Sequence, residues 1–348
     1  MRRLPARLVT VVLAITSLSV RAAEKPWSGA DHGGRLIRQC AAEAARPAAQ
    51  PAFKLPPIPG NVVLQQDVPY GQAGDTRLLL DILRPKADSP RPRPVILFIH
   101  GGGWAGGDKV SALGALAPYA ASGQYFCASA NYRLSGQAPW PAQLDDCKAA
   151  VRWLKANAAK YNIDPEKIGM WGHSAGGHLV SMLGLTGNQP QLEGHSGSPG
   201  PSSRVACVVD FAGPSDMIAF VSFCEGKRKS KTPSGGLAKL FGEPIDQWQE
   251  VARRASPSTY VAASAPPFLI AHGTADPLVP LAQAEDLYAA LKKAGANATL
   301  VKIVGGGHGI GGKEVSERVR AFFDKYLRGQ NVEVSAAAIQ APPAPAKK

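Results

Sequence analysis

Gly172-His173-Ser174-Ala175-Gly176, with Gly177 after it, carries the strongest chemical signal in the chain. A bare G-x-S-x-G is a weak pattern. It gains meaning where a strand enters and a helix leaves, because the serine is then displayed on a tight turn. Lys167–Trp171 reads as the strand and His178–Leu185 as the helix. Such a turn forces Ser174 into a strained backbone conformation, and glycines on either side remove the clashes a Cβ would create. The hydroxyl would then stand at a helix N-terminus, where the dipole favours developing negative charge. Gly194-His195-Ser196 repeats the first three letters. No strand precedes it, and Ser198 stands where the second glycine belongs, so it reads as a loop.

Acyl transfer needs N–H groups aimed at the carbonyl oxygen as it becomes an oxyanion. His100-Gly101-Gly102-Gly103-Trp104 follows a strand-like apolar run and can offer them. Gly102 and Gly103 are the expected donors, joined by the amide of Ala175, while His100 is expected to orient the loop. No Lys-Ser/Thr pair follows, as a phosphate-binding Walker loop would require. Trp104 and His173 are the candidate substrate contacts. The alternative for Trp104 is packing beneath the loop.

A serine nucleophile needs a base, and the base needs an orienting acid. Asp276 lies just past the strand-like run Pro267–Ala271, and His308 just past Ala298–Val304, among Gly305, Gly306, Gly307 and Gly309. Parallel-sheet enzymes gather their chemistry at the carboxyl ends of strands, so the three groups can converge there. Of the seven histidines only His308 follows Asp276. The order Ser174, Asp276, His308 is that of the α/β-hydrolases. His272 is expected to belong to the loop of the acid. Asp216, after the run Val205–Phe211, is the rival acid. With neutral His308 as base, hydrolysis should fall on the acid side.

These residues need a scaffold, and strand and helix signals alternate along the chain. Val62–Val68 and Arg77–Leu83 read as an opening strand pair. Pro94–Ile99 reads as a buried central strand and Tyr125–Ala130 as the next. Pro141–Tyr161 reads as one long helix, with Leu144, Cys147, Ala150, Val151, Leu154 and Ala158 at helical spacing. Asp164-Pro165 ends it. Helices at Leu281–Ala294 and Lys313–Leu327 separate and follow the last two strands. This alternation argues for an α/β fold with a mostly parallel central sheet and helices on both faces.

The chain has 348 residues, 45% hydrophobic and 19% charged, which excludes wholesale disorder. No apolar run beyond the first 20 residues could span a bilayer, so a multi-pass membrane protein is excluded. Arg2, Arg3 and Arg7 precede the apolar run Leu8–Val20, which is too short to cross hydrocarbon, and Ala22 suits a peptidase. Residues 1–22 thus read as a signal peptide cut after Ala22, and the protein as secreted or periplasmic. Arg2, Arg3, Arg7 and Arg21 contribute to the net charge of +13 and would leave with the leader. Residues 23–60 read as an Ala/Pro-rich arm and 61–330 as the catalytic domain, with a small cap expected within 212–250. Residues 331–348 read as a disordered Ala/Pro-rich tail. Gly226-Lys-Arg-Lys-Ser-Lys231 reads as a solvated loop, with an acidic glycan or anionic surface as the sharper option. Cys40, Cys127, Cys147, Cys207 and Cys224 form an odd set, so at least one thiol stays unpaired within the monomer.

Taken together, these motifs resemble the bacterial α/β-hydrolase esterases related to hormone-sensitive lipase. The resemblance is strongest to the BD-FAE group, bifunctional feruloyl and acetyl-xylan esterases. It is carried by His100-Gly-Gly-Gly-Trp104, Asn131-Tyr-Arg-Leu134, Pro141-Ala-Gln-Leu-Asp-Asp146, Ile163-Asp-Pro165, Gly172-His-Ser-Ala-Gly-Gly-His-Leu179, Ala275-Asp-Pro-Leu-Val-Pro280 and Gly307-His308-Gly309, over about residues 61–328. Many relatives carry Asp before the nucleophile where this chain has His173. The resemblance implies a serine carboxylesterase needing no metal or organic cofactor, acting on a small ester or an acylated polysaccharide. No nucleic acid and no stable membrane insertion are expected. Two other readings stand beside it: an arylformamidase- or amidase-type hydrolase using the same triad, and a non-catalytic binding protein. The complete triad argues against the latter.

Overall fold

The computed structural model describes residues 54–226, 229, 232–242 and 244–341. The leader, most of the N-terminal arm, the last residues of the tail, and Lys227, Arg228, Ser230 and Lys231 of the basic segment lie outside the described residues. Among the described residues no helix is long and apolar enough to cross a membrane.

The chain opens with β1 (Val62–Ala73), β2 (Thr76–Pro85) and β3 (Arg93–Ile99). It continues with α1 (Leu113–Ala121), β4 (Phe126–Ala130), α2 (Ala142–Ala156), β5 (Ile163–His173), α3 (Ala175–Leu185) and β6 (Cys207–Phe211). Three short helices follow: α4 (Met217–Gly226), α5 (Gly235–Phe241) and α6 (Trp248–Arg254). The chain then forms β7 (Phe268–Gly273), α7 (Leu281–Lys293), β8 (Ala298–Val304), α8 (Lys313–Arg328) and β9 (Ile339–Gln340). The strands make one sheet in the order β1-β2-β4-β3-β5-β6-β7-β8-β9. The β1–β2 and β2–β4 pairs are antiparallel, and β3 pairs parallel with both β4 and β5. From β5 to β9 every pair is parallel.

The core follows from the two-residue period of the strands. In β3, Val95, Leu97 and Ile99 face one buried cluster, shared with Leu144, Val151 and Leu154 of α2 and Leu179 and Leu183 of α3. Ile96 and Phe98 face the other, shared with Leu113 and Leu116 of α1 and Val319, Phe322 and Phe323 of α8. Both faces of the central strand are covered, which is why its sequence is continuously apolar.

Two expectations change. The single helix over Pro141–Tyr161 is interrupted. The backbone of Asn157 leaves helical geometry at φ −101°, ψ 15°, and its side-chain amide donates to the Trp153 carbonyl at 2.9 Å. An asparagine that bonds its own preceding turn competes with helix continuation. The tail is not disordered throughout: Ile339 is buried and pairs with Ile303, and Ala341 N–H donates to the Val304 carbonyl at 3.0 Å. The free edge of β8 presents unpaired backbone groups, and this segment satisfies some of them. Ala/Pro composition hid that role.

Candidate active site

Ser174 sits where β5 gives way to α3, at φ 59° and ψ −123°. A left-handed conformation at a non-glycine residue costs about 1–3 kcal/mol and persists only where its surroundings enforce it. Here Ser174 N–H donates to the Phe211 carbonyl of β6 at 2.7 Å, and the Ser174 carbonyl accepts from His178 N–H at 3.0 Å. The glycines are required by close approach. A Cβ on Gly172 would overlap the Gly176 carbonyl, and one on Gly176 would overlap the Ile99 carbonyl.

The glycine loop lies directly against this turn. A Cβ on Gly101 would fall 2.7 Å from the His173 carbonyl oxygen and 3.2 Å from Ser174 Cβ. Gly102, Gly103 and Trp104 have φ values of 110°, 59° and 57°. This run turns the backbone back on itself, and Ala105 and Gly106 N–H both donate to the Gly102 carbonyl. Gly102 and Gly103 are exposed, and among the described residues no acceptor takes their amides. His100 is buried and stacks on Tyr132 at 4.4 Å, and Tyr132 Oη–H donates to the His100 carbonyl at 3.1 Å. His100 therefore braces the loop. Asn131 holds the other side of the loop, taking Lys109 N–H at 2.7 Å and donating to Asp108 at 2.9 Å. Arg133 pairs with buried Asp146 through two bonds of 2.8 and 2.7 Å.

Trp104 is turned inward. Its indole is 3% exposed and donates Nε1–H to His178 Nδ1 at 3.1 Å, and its ring meets Phe220 of α4 at 6.2 Å. It props the glycine loop from beneath, which is the packing alternative. The segment between β6 and β7 packs on the same loop. A Cβ on Gly236 of α5 would lie 3.5 Å from Ala105 Cβ, and Trp140 N–H donates to the Leu240 carbonyl at 2.7 Å.

Asp276 and His308 meet as their order in the sequence implies. His308 Nδ1 lies 2.7 Å from Asp276 Oδ2. Asp276 Oδ1 accepts from Leu278 N–H at 2.8 Å and Val279 N–H at 3.0 Å. Burial alone would raise the pKa of this carboxyl. The His308 bond and the two amides outweigh burial and hold it below the ordinary aspartate value. His272 belongs to the same loop, donating Nε2–H to the Val279 carbonyl at 2.9 Å. Asp216 is otherwise engaged: its Oδ1 accepts from Ile218 and Ala219 N–H at the start of α4. Ser196 lies in the loop after α3, beyond the opposite end of that helix from Ser174. There it borders a cavity of about 560 Å³ with Arg152 and Glu193.

His173 faces His308. Its Nε2 lies 2.8 Å from the His308 carbonyl oxygen, and the two rings are 4.8 Å apart. This contact joins the turn at Ser174 to the loop that carries His308.

Sequence reasoning gave no role to His178 or Asp210. His178 Nδ1 takes the Trp104 indole N–H, so Nε2 carries the proton and donates to the Ala255 carbonyl at 2.6 Å. Asp210, fully buried at the end of β6, accepts from Ser181 Oγ–H at 2.7 Å and Gly213 N–H at 2.9 Å. The signal for His178 is its place one turn after Ser174, on a helix whose only other polar side chain is that of Ser181.

His178 predicts an acid-sensitive component of stability. Burial pushes its pKa down to about 4, against the opposing pull of the Ala255 bond. An unfolded histidine titrates near ~6.5, so between those values the unfolded chain binds the extra proton. The contribution is complete above pH ~6.5 and declines as pH falls towards 4, by about 3 kcal/mol in all. Burial moves Asp145 and Asp210 up to about 6, and each of these favours the fold as pH falls. The His178 part must therefore be read as a difference. The stability gap between wild type and His178→Gln, from urea unfolding, should narrow by about 3 kcal/mol from neutral pH to pH ~4. A gap independent of pH would remove His178 from the acid response.

Comparison with known proteins finds relatives in sequence and in fold. The BD-FAE family model matches residues 80–291. Esterase LipC of Mycobacterium tuberculosis is 33% identical over 272 residues, 74% of this chain and 64% of that protein. The matched region therefore spans a little under two thirds of that relative. A truncated carbohydrate esterase from gut microbiota superposes with a TM-score of 0.65 at 34% identity, covering 76% of this chain and 96% of the other. A propionate-bound esterase from Thermogutta terrifontis gives a TM-score of 0.63 at 26% identity, covering 78% and 97%.

Proposed function

The chain belongs to the BD-FAE family, and from that premise we propose that it is a serine carboxylesterase working through an acyl-enzyme. The observation that carries this reading is the His308–Asp276 contact of 2.7 Å on a loop bonded to His173, the residue before a serine held at φ 59° on a strand-to-helix turn. In the proposed sequence Ser174 Oγ attacks the ester carbonyl as His308 takes its proton. Asp276 fixes the imidazole with its proton on Nδ1 and stabilises the imidazolium that forms. The amides of Gly102, Gly103 and Ala175 receive the oxyanion. His308 then protonates the leaving alcohol, and water, activated by the same base, frees the acyl group.

For the substrate we propose short-chain or aromatic esters, including acetyl or feruloyl groups on polysaccharide. The carbohydrate-esterase relative supports the polysaccharide side, and the propionate-bound relative supports a short acyl group. The basic leader pattern of residues 1–22 supports action outside the cytoplasm. The first experiment is labelling with a fluorophosphonate probe, which should modify Ser174. An unlabelled, folded protein would end the esterase reading.

Acyl length tests the pocket. An extra methylene that finds a buried wall gains about 0.8 kcal/mol, roughly fourfold in kcat/KM. Nitrophenyl esters from acetyl upward should peak at short acyl groups and decline beyond about eight carbons, since the cap segment packs against the loop that receives the carbonyl. A kcat/KM that climbs through the longest chains would instead mean an apolar trough suited to lipids.

A further inference from the structure

We propose that His173 is a positioning residue that holds the base loop in register with the nucleophile, through its Nε2–H bond to the His308 carbonyl. The inference rests on the esterase reading, since it concerns how His308 is presented to Ser174.

The base loop has little else to fix it. His308 is surrounded by Gly305, Gly306, Gly307, Gly309, Gly311 and Gly312. Around most of these, space is open: a Cβ at Gly305, Gly307, Gly309, Gly311 or Gly312 would meet nothing within 4 Å. Glycines that packing does not confine leave the backbone wide conformational freedom. The start of the loop is tied by Gly305 N–H to Thr274 Oγ1 at 2.9 Å and by Ala275 N–H to the Gly306 carbonyl at 2.8 Å. From residue 307 to 311, the hydrogen bonds among the described residues both fall on His308. Asp276 holds its ring, and His173 holds its backbone. Ile310 adds a side chain packed on the core. A ring held at Nδ1 alone can still pivot about that bond; fixing the carbonyl as well removes the pivot.

The partner on the other side is rigid. His173 ends β5 in register with Phe211 of β6, and it immediately precedes the strained serine. A bond from this residue to the base loop therefore refers the base to the nucleophile. The groups facing His173 are His308, Asp276 and His272, and burial, the largest influence, lowers its pKa. A neutral imidazole suits the site. His308 becomes cationic during the reaction, and a second positive charge 4.8 Å away would oppose that change. A carbonyl oxygen can only accept, so a donor is required at position 173.

The test separates this bond from packing and from substrate contact. His173→Phe keeps a ring against His308 and removes the donor. His173→Gln keeps an N–H of similar reach. His173→Asp offers only acceptors. We expect kcat to fall by about 10²-fold in His173→Phe and in His173→Asp, with KM nearly unchanged, because a misplaced base costs turnover and not binding. His173→Gln should recover most of the loss. The rate of fluorophosphonate labelling should follow the same ranking, as it needs Ser174 and His308 but no substrate pocket. Thermal unfolding checks that each variant is folded, and the Gln and Asp variants carry the test if the Phe variant is not. A Gln variant as slow as the Asp variant would overturn the proposal. So would a rise in KM at constant kcat, which would return His173 to substrate binding. Failure of the wild type to label at all would sink the esterase reading itself, a separate result.

Discussion

Ser174→Ala is expected to lower kcat by about 10⁴-fold or more while the protein stays folded. The hydroxyl makes no capping bond to α3, so its loss removes the nucleophile and little else. The strained backbone is held by main-chain bonds to Phe211 and His178, which alanine keeps. Residual turnover would reflect what the amides of Gly102, Gly103 and Ala175 do for water attacking the same carbonyl. Ser196→Ala is the control. Its carbonyl, not its hydroxyl, receives Arg152, and its loop follows the far end of α3 from the turn. Steady-state hydrolysis of nitrophenyl acetate by both variants decides the matter. An essential Ser196 would mean that the strand-turn-helix argument chose the wrong serine.

The candidate site was legible in the sequence because close backbone approach constrains composition. Gly172 and Gly176 had to be glycine, since neighbouring carbonyls leave no room for a Cβ, and that necessity is visible in letters. The order of Ser174, Asp276 and His308 could be read because a parallel sheet brings strand ends to one edge in a fixed sequence. Other features depend on partners distant in the chain. Trp104 looked like a pocket residue by adjacency. Its indole is turned inward by His178, 74 positions away, whose other nitrogen is tied to Ala255. His173 looked like a substrate contact for the same reason, yet its Nε2 reaches a carbonyl 135 positions away. Asp210 is only half visible locally: Gly213 is three residues on, but Ser181, which donates to its other oxygen, stands 29 positions away on α3. At the tail, Ala/Pro composition outweighed a single Ile339 that docks on the edge of β8.

Asp276→Asn should cost roughly 10⁴-fold in kcat with the fold intact, and the reason is donor arithmetic. The carboxylate accepts three hydrogen bonds, from His308 Nδ1–H at Oδ2 and from the amides of Leu278 and Val279 at Oδ1; His272 Nε2, whose proton goes to the Val279 carbonyl, stands 3.4 Å from Oδ2. An ionised carboxylate is acceptor-only and serves all three; the bonds that pull its pKa down keep it ionised across the working range. Asparagine has one acceptor and one donor end. If its oxygen stays on the two amides, its NH₂ faces His308 Nδ1, which must then give up its proton. The proton moves to Nε2, the nitrogen that would have accepted from Ser174, and the base is blocked. If the amide is reversed, the tautomer survives but Leu278 and Val279 N–H face a donor and the loop loses its anchor. The first arrangement keeps all three contacts, with the one to His308 reversed in direction, and the second loses two, so the blocked tautomer should dominate. Asp216→Asn should cost far less, because Asp216 caps α4 through Oδ1 and asparagine caps about as well. Measured kcat for the two variants ranks the candidate acids, and the opposite ranking would move the acid from the loop after β7 to the one after β6.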